Sequence, residues 1–99
     1  MLSLRPSCEC CDRDLAPDAD NARICSFECT FCDSCADDIL QNVCPNCGGG
    51  LERRPVRPKD KLANNPPSAD RVSQPLTGAQ AERHRALAAR YAAVPPAQR

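Results

Sequence analysis

Eight of the nine cysteines in this 99-residue chain fall into four close pairs: Cys8 with Cys11, Cys25 with Cys29, Cys32 with Cys35, and Cys44 with Cys47. Each pair can bring two thiolates to one tetrahedral metal. Two pairs complete a four-sulfur site with no position left for water or substrate, so four pairs are the ligand count for two zinc ions (Zn2+) per chain. Large apolar residues before residue 53 are limited to Leu2, Leu4, Leu15, Ile24, Phe27, Phe31, Ile39, Leu40, Val43 and Leu51, a thin core for a small domain to rest on by burial alone. Structural zinc contributes roughly 10–16 kcal/mol per site in small peptides, so the metal-free form is expected to be unfolded.

Disulfides are the competing use of so many cysteines, and they need an oxidising compartment. The opening residues, Met1 to Pro6, hold no apolar stretch of signal-peptide length, and nine is an odd number. Adjacent Cys10 and Cys11 and the repeated two-residue spacers suit metal knuckles better than bridges. No run approaches the roughly 20 apolar residues of a membrane span. The expectation is a soluble, cytoplasmic protein with no membrane partner.

Charge is zero overall but divided. Residues 1–52 carry three basic and ten acidic residues, a net of −7, and residues 53–99 carry ten basic and three acidic, a net of +7. Each tetrathiolate zinc site would make the head more acidic still. That sign argues against a nucleic-acid-binding head, because phosphate contacts come from Lys and Arg. It leaves three readings of the tail: a solvated basic segment, a segment attracted to the head, or a contact for a charged partner.

Along the chain, Cys8 to Cys11 reads as a tight knuckle, and residues 12–21 as an exposed loop of turn formers. Ala22 to Phe27 is a plausible strand that Glu28 to Phe31 turns back into a second, with Phe27 and Phe31 packed between the metal sites. Residues 33–42 read as a helix of two to three turns. Asp33 or Ser34 would cap it, acidic residues sit in its first turn, Cys35, Ile39 and Leu40 share one face, and Asn42 ends it. Pro45 stiffens a second knuckle, the glycines at 48–50 permit positive dihedrals at its exit, and Leu51 closes the core. The domain reading is a two-zinc unit over 1–52, a Pro-rich, basic, disordered linker over 53–76, an Ala-rich helix over 77–95, and a disordered tail over 96–99. Thr77 to Gln80 has capping-box spacing. His84, Leu87, Tyr91 and Val94 form a narrow apolar stripe that can dock on the head, pair with another chain or bind a partner, the alternative being a marginal helix in solution.

The order Cys8-x2-Cys11-x13-Cys25-x3-Cys29-x2-Cys32-x2-Cys35-x8-Cys44-Pro45-x-Cys47 resembles the RING-finger layout. That resemblance implies a small α+β, treble-clef-type cross-brace with a short hairpin and one short helix. Cys8, Cys11, Cys32 and Cys35 would hold the first zinc, and Cys25, Cys29, Cys44 and Cys47 the second. Cys29 stands where histidine is common in RING domains. A sequential pairing, the first two pairs on one metal and the last two on the other, also remains buildable. Cys10 is left over as a free thiol beside the ligands. Residues 1 to about 55 also resemble a bacterial cysteine-rich family of unknown function (number 1272), on Leu4-Arg5-Pro6, Cys8-Glu9-Cys10-Cys11-Asp12-Arg13-Asp14-Leu15, Ala22 to Cys32, and Cys44-Pro45-Asn46-Cys47-Gly48-Gly49. That resemblance implies a zinc-binding fold in a bacterial cytoplasm.

Saturated thiolate sites point to a non-catalytic module that presents a surface to a protein partner. Ligase activity of the RING type is disfavoured, because the chain has no tryptophan and Gly48, not a basic residue, follows the last ligand. Hydrolytic zinc chemistry needs an open metal position. The alternatives are weak nucleic-acid binding through Arg53, Arg54, Arg57, Lys59 and Lys61, a cluster with no aromatic residue for base stacking, and thiol-based metal or redox sensing.

Overall fold

The computed structural model describes residues 1–99. Its centre is an antiparallel hairpin of strands β1 (Ala22–Ile24) and β2 (Thr30–Cys32), in register Ala22 with Cys32, Arg23 with Phe31 and Ile24 with Thr30. The reversal runs through Glu28, which takes a positive φ of 69°. Both strands are shorter than the sequence suggests. Phe31 is buried, as expected, but Phe27 is 73% exposed. Phe27 belongs to the reversal, where its N–H reaches the Cys25 sulfur and its ring is left outside. A third strand, β3 (Glu52–Arg53), pairs with the other side of β1 and gives the order β2-β1-β3. Two residues carry no alternation to announce it; the register is held from outside the pair, where the Arg54 N–H meets the Ala22 carbonyl at 2.8 Å.

The helix expected over 33–42 is cut to a single π turn, Cys35–Ile39. The Leu40 N–H reaches back five residues to the Cys35 carbonyl and the Asn42 N–H six residues to that of Ala36, both at 2.8 Å. Gln41 and Asn42 then leave with φ of 54° and 58°. The wide turn brings Leu40 inward with Cys35 and swings Ile39 out to 48% exposure, so Ile39 does not share their face. No side-chain cap forms at Ser34. The Asp33 and Asp37 carboxylates instead face Arg23, at 3.7 and 3.0 Å. Arg23 also grips the Leu51 carbonyl with two nitrogens, and the Leu51 N–H donates to the Asn42 side chain at 2.9 Å. Leu51 closes the core.

Residues 53–76, expected as a disordered linker, run along the head. Arg54 is 1% exposed, and its guanidinium donates to the Arg5 and Ala16 carbonyls at 2.9 and 2.8 Å. Arg57 spans the Leu2 and Asn65 carbonyls, and a short helix α1 (Lys59–Leu62) follows. The Ser68 and Gln74 amides donate to the Leu4 and Glu9 carbonyls. Helix α2 spans Gly78–Tyr91, shorter than the expected 77–95. Thr77 caps it through its backbone carbonyl alone, without the side-chain bond of a capping box. The helix lies on the head with His84 and Ala88 buried, and the His84 Nε2 sits 2.9 Å from the Leu40 carbonyl. A 3-10 turn, Pro96–Gln98, ends the chain.

Arg54 is the clearest test of this packing, since burial of a guanidinium depresses its pKa and only its two carbonyl contacts offset the lost hydration. Arg54→Ala is expected to cost about 2–4 kcal/mol, and Arg53→Ala, at an exposed neighbour, less than about 0.5 kcal/mol. Thermal unfolding of the two variants measures the difference.

Candidate metal centres

The first and fourth cysteine pairs are built on one backbone design. In the first, the Asp12 N–H donates to the Cys8 carbonyl at 2.8 Å, and the Cys8 N–H to that of Arg13 at 2.8 Å. In the fourth, the Gly48 N–H donates to the Cys44 carbonyl at 2.8 Å, and the Cys44 N–H to that of Gly49 at 2.9 Å. Each turn leaves through a left-handed residue directly after its second cysteine, Asp12 at φ 63° and Gly48 at φ 78°. Glycine takes that conformation freely, and aspartate is among the few residues that tolerate it. Of the three consecutive glycines only Gly48 needs it; Gly50 is required for space, because a Cβ there would lie 2.7 Å from Pro96.

The other two pairs stand at opposite ends of the hairpin. Cys25 and Cys29 flank its reversal, and Cys32 and Cys35 lie where β2 runs into the π turn. Each end faces one knuckle. The Cys8, Cys11, Cys32 and Cys35 sulfurs all lie within 4.8 Å of one another, as do those of Cys25, Cys44 and Cys47. The first pair therefore meets the third, and Cys25 of the second pair meets the fourth. Cys29 lies outside the second triangle, but its thiol interacts with those of Cys44 and Cys25 and receives the Asn46 side-chain N–H at 3.3 Å. The leftover Cys10 is half-buried against the Cys35 thiol and Leu76. His84 belongs to the docked helix and takes no part in either group.

The donor chemistry fits a thiophilic cation. A tetrahedron with sulfurs about 2.3 Å from its centre has edges of about 3.8 Å, and the Cys11 and Cys32 sulfurs are 3.8 Å apart. Backbone amides point at the sulfurs, Cys11 N–H to Cys8, Phe27 N–H to Cys25 and Gly49 N–H to Cys47, which favours the thiolate form. Both groups could hold a metal ion.

Electrostatics leads to the same conclusion. Burial drives the Cys35 thiol far above its ordinary range, aided by the Cys32 thiol. The Cys29 thiol, stabilised as an anion first by a hydrogen bond from Cys44 and also by Asn46, falls to about 5, while its partner Cys44 is driven far upward by the same contact. Burial raises Cys25 to about 11. Burial opposes ionisation of Cys11 as well, but the Arg13 amide and the thiols of Cys8, Cys35 and Cys32 outweigh it and lower its pKa. One sulfur in each group ionises at the expense of its neighbours, and a cation relieves that conflict.

Glu9, to which its place in the cysteine motif assigns no role, joins the first knuckle to the sheet. Its carboxylate is buried, accepts the Thr30 N–H and pairs with Arg5 at 2.7 Å, while its own N–H donates to the Thr30 carbonyl. Burial raises its pKa against the opposing pull of the Thr30 amide and Arg5. Asp12 had a legible signal, since it follows Cys11 as Gly48 follows Cys47. Glu9→Ala is expected to cost about 2–4 kcal/mol and Glu9→Gln about half as much, because the amide oxygen still accepts the Thr30 N–H. Denaturant titration with an unchanged slope checks both.

No helix is long and apolar enough to cross a membrane, and no solved structure matches the chain. An uncharacterised protein of Rhizobium meliloti (strain 1021) is 63% identical over 75 residues, covering 76% of this chain and 89% of that protein. Residues 1–57, which hold both cysteine groups and the whole sheet, match the family described as "Protein of unknown function (DUF1272)", and the chain belongs to that family.

Proposed function

We propose that this protein is a non-catalytic, cytoplasmic two-zinc scaffold, woven as a RING-like cross-brace, that presents the surface of its head to a partner protein. The observation that carries the reading is the interleaving of the sulfur groups, first pair with third and Cys25 with the fourth pair. Thiol-only donor sets suit zinc. In the cross-brace Cys29, whose thiol already interacts with those of Cys44 and Cys25, completes the second site. Four thiolates satisfy a tetrahedral ion and leave no position for a substrate, which speaks against hydrolytic chemistry.

Nucleic-acid binding loses ground. Of the ten basic residues after residue 52, Arg54, Arg57, Arg71, Arg83 and Arg99 donate to carbonyls or carboxylates of the chain itself. Phosphate contacts would have to come from Arg53, Lys59, Lys61, Arg85 and Arg90, of which Arg90 alone lies over an aromatic ring, that of Tyr91. A protein partner has more to meet: Phe27 projects from the hairpin reversal at 73% exposure, beside the rim of the second sulfur group.

Native mass spectrometry is expected to find two zinc ions per chain, retained in Cys10→Ser and reduced to one in Cys8→Ser. Chelation should abolish the circular dichroism of the head. One ion or none in the unaltered chain, or a head that stays folded without metal, overturns the reading. The surface is tested separately: Phe27→Ala leaves zinc content and stability unchanged within about 0.5 kcal/mol and lowers recovery of the cross-linked partner from the native cell.

A further inference from the structure

The exposed cysteines of the two knuckles are Cys11 and Cys47, in each case the second of the pair. Directly after each stands the left-handed residue through which the turn leaves, Asp12 or Gly48. The carbonyl of each of these residues receives an arginine from the far part of the chain. Arg71 donates to the Asp12 carbonyl at 2.8 Å and is held there by the carboxylates of Asp12 and Asp14, at 3.2 and 2.7 Å. Arg99 donates to the Gly48 carbonyl at 3.0 Å and to that of Asn42 at 2.9 Å, while its Nε is fixed by the Val94 carbonyl. Both arginines lie beyond residue 57, where the match to the family ends.

We propose that Arg71 and Arg99 are positioning residues that act as two independent clasps, each locking one knuckle closed and slowing loss of the metal ion it holds. The proposal rests on the two-zinc reading. For a competing thiol or chelator to take an ion, the exposed sulfur must first swing away from it. That motion rotates the peptide unit after the cysteine and so breaks the turn's closing N–H bond to Cys8 or Cys44. The arginine holds the carbonyl one residue further on, so the turn cannot open without also losing a charge-assisted bond. The second clasp has more support around it. Tyr91 and Leu87 cover Gly48, where an added Cβ would lie 3.0 Å from the Tyr91 ring, and Arg83 donates to the Asn46 carbonyl within the same turn. Nothing in α2 reaches the first knuckle through a hydrogen bond, and Arg71 makes none to the second, so the two clasps act separately.

The experiment is transfer of zinc from the full chain to a colorimetric chelator. Alkylation of the released thiols, read by peptide mass spectrometry, assigns each phase to Cys8, Cys11, Cys32 and Cys35 or to Cys25, Cys29, Cys44 and Cys47. Arg71→Ala is expected to speed release from the first group alone and Arg99→Ala from the second alone, each by about 3- to 10-fold. The double variant should show both accelerations unchanged in size, and Arg85→Ala, at an exposed site on α2, neither. Arg71→Lys and Arg99→Lys, which fold with the charge retained but lack the forked donor, should fall between the unaltered chain and the alanine variants. Equal acceleration of both groups, or rates unchanged within about twofold, overturns the clasps while leaving two bound ions. Binding of fewer than two ions by the unaltered chain overturns the two-zinc reading itself.

Discussion

The interaction on which the rest of the structure depends is the turn that brings two sulfurs to one side of the backbone and then escapes through a left-handed residue. It occurs twice, at Cys8 to Asp12 and at Cys44 to Gly48, with matching closing bonds. Such a turn exposes one sulfur, buries the other, and leaves carbonyls facing outward. The hairpin then has one task, to place a second pair of cysteines opposite each turn. Three residues per strand suffice, because Cys25 and Cys29 bracket its reversal while Cys32 and Cys35 lie past its open end. The approach of the first pair to the third, and of Cys25 to the fourth, therefore follows from the hairpin's antiparallel geometry, which sends successive pairs to opposite ends.

Around these turns, arginine does much of what apolar residues do in larger domains. Arg23 ties β1 to the π turn and to Leu51, and Arg54 fills an interior site between the N-terminal segment and the loop before β1. A planar group with five donors can satisfy several carbonyls at once, and a fold made mostly of turns has many carbonyls unclaimed by helix or sheet. The division of charge along the chain has the same origin. Arg71, from the basic part, meets Asp12 and Asp14, from the acidic part, so attraction between the two halves takes a specific form rather than a diffuse one.

What was legible in the sequence was whatever depends on residue identity and spacing. The cysteine pairs, the glycine at the second exit, the hairpin reversal after Phe27, the end of the helical turn at Asn42 and the burial of Leu51 all belong to this class. What was not legible depends on backbone acceptors, which every residue has and which therefore leave no signature. The burial of Arg54 is set by two carbonyls, and the pairing of β3 by an amide one residue beyond it. Ile39 and Phe27 failed for a related reason. A periodicity of 3.6 residues puts Ile39 inward, but a turn closed five and six residues back does not keep that period, and a reversal gives Phe27 no inner face.

Interleaving also has a topological consequence. Were the pairs taken in sequence, each group would close its own stretch of chain. With the first pair facing the third and Cys25 facing the fourth, β2 lies on the chain path that closes each group, so each group is closed through backbone that the other also uses. Both sulfur groups are thereby parts of one folded unit.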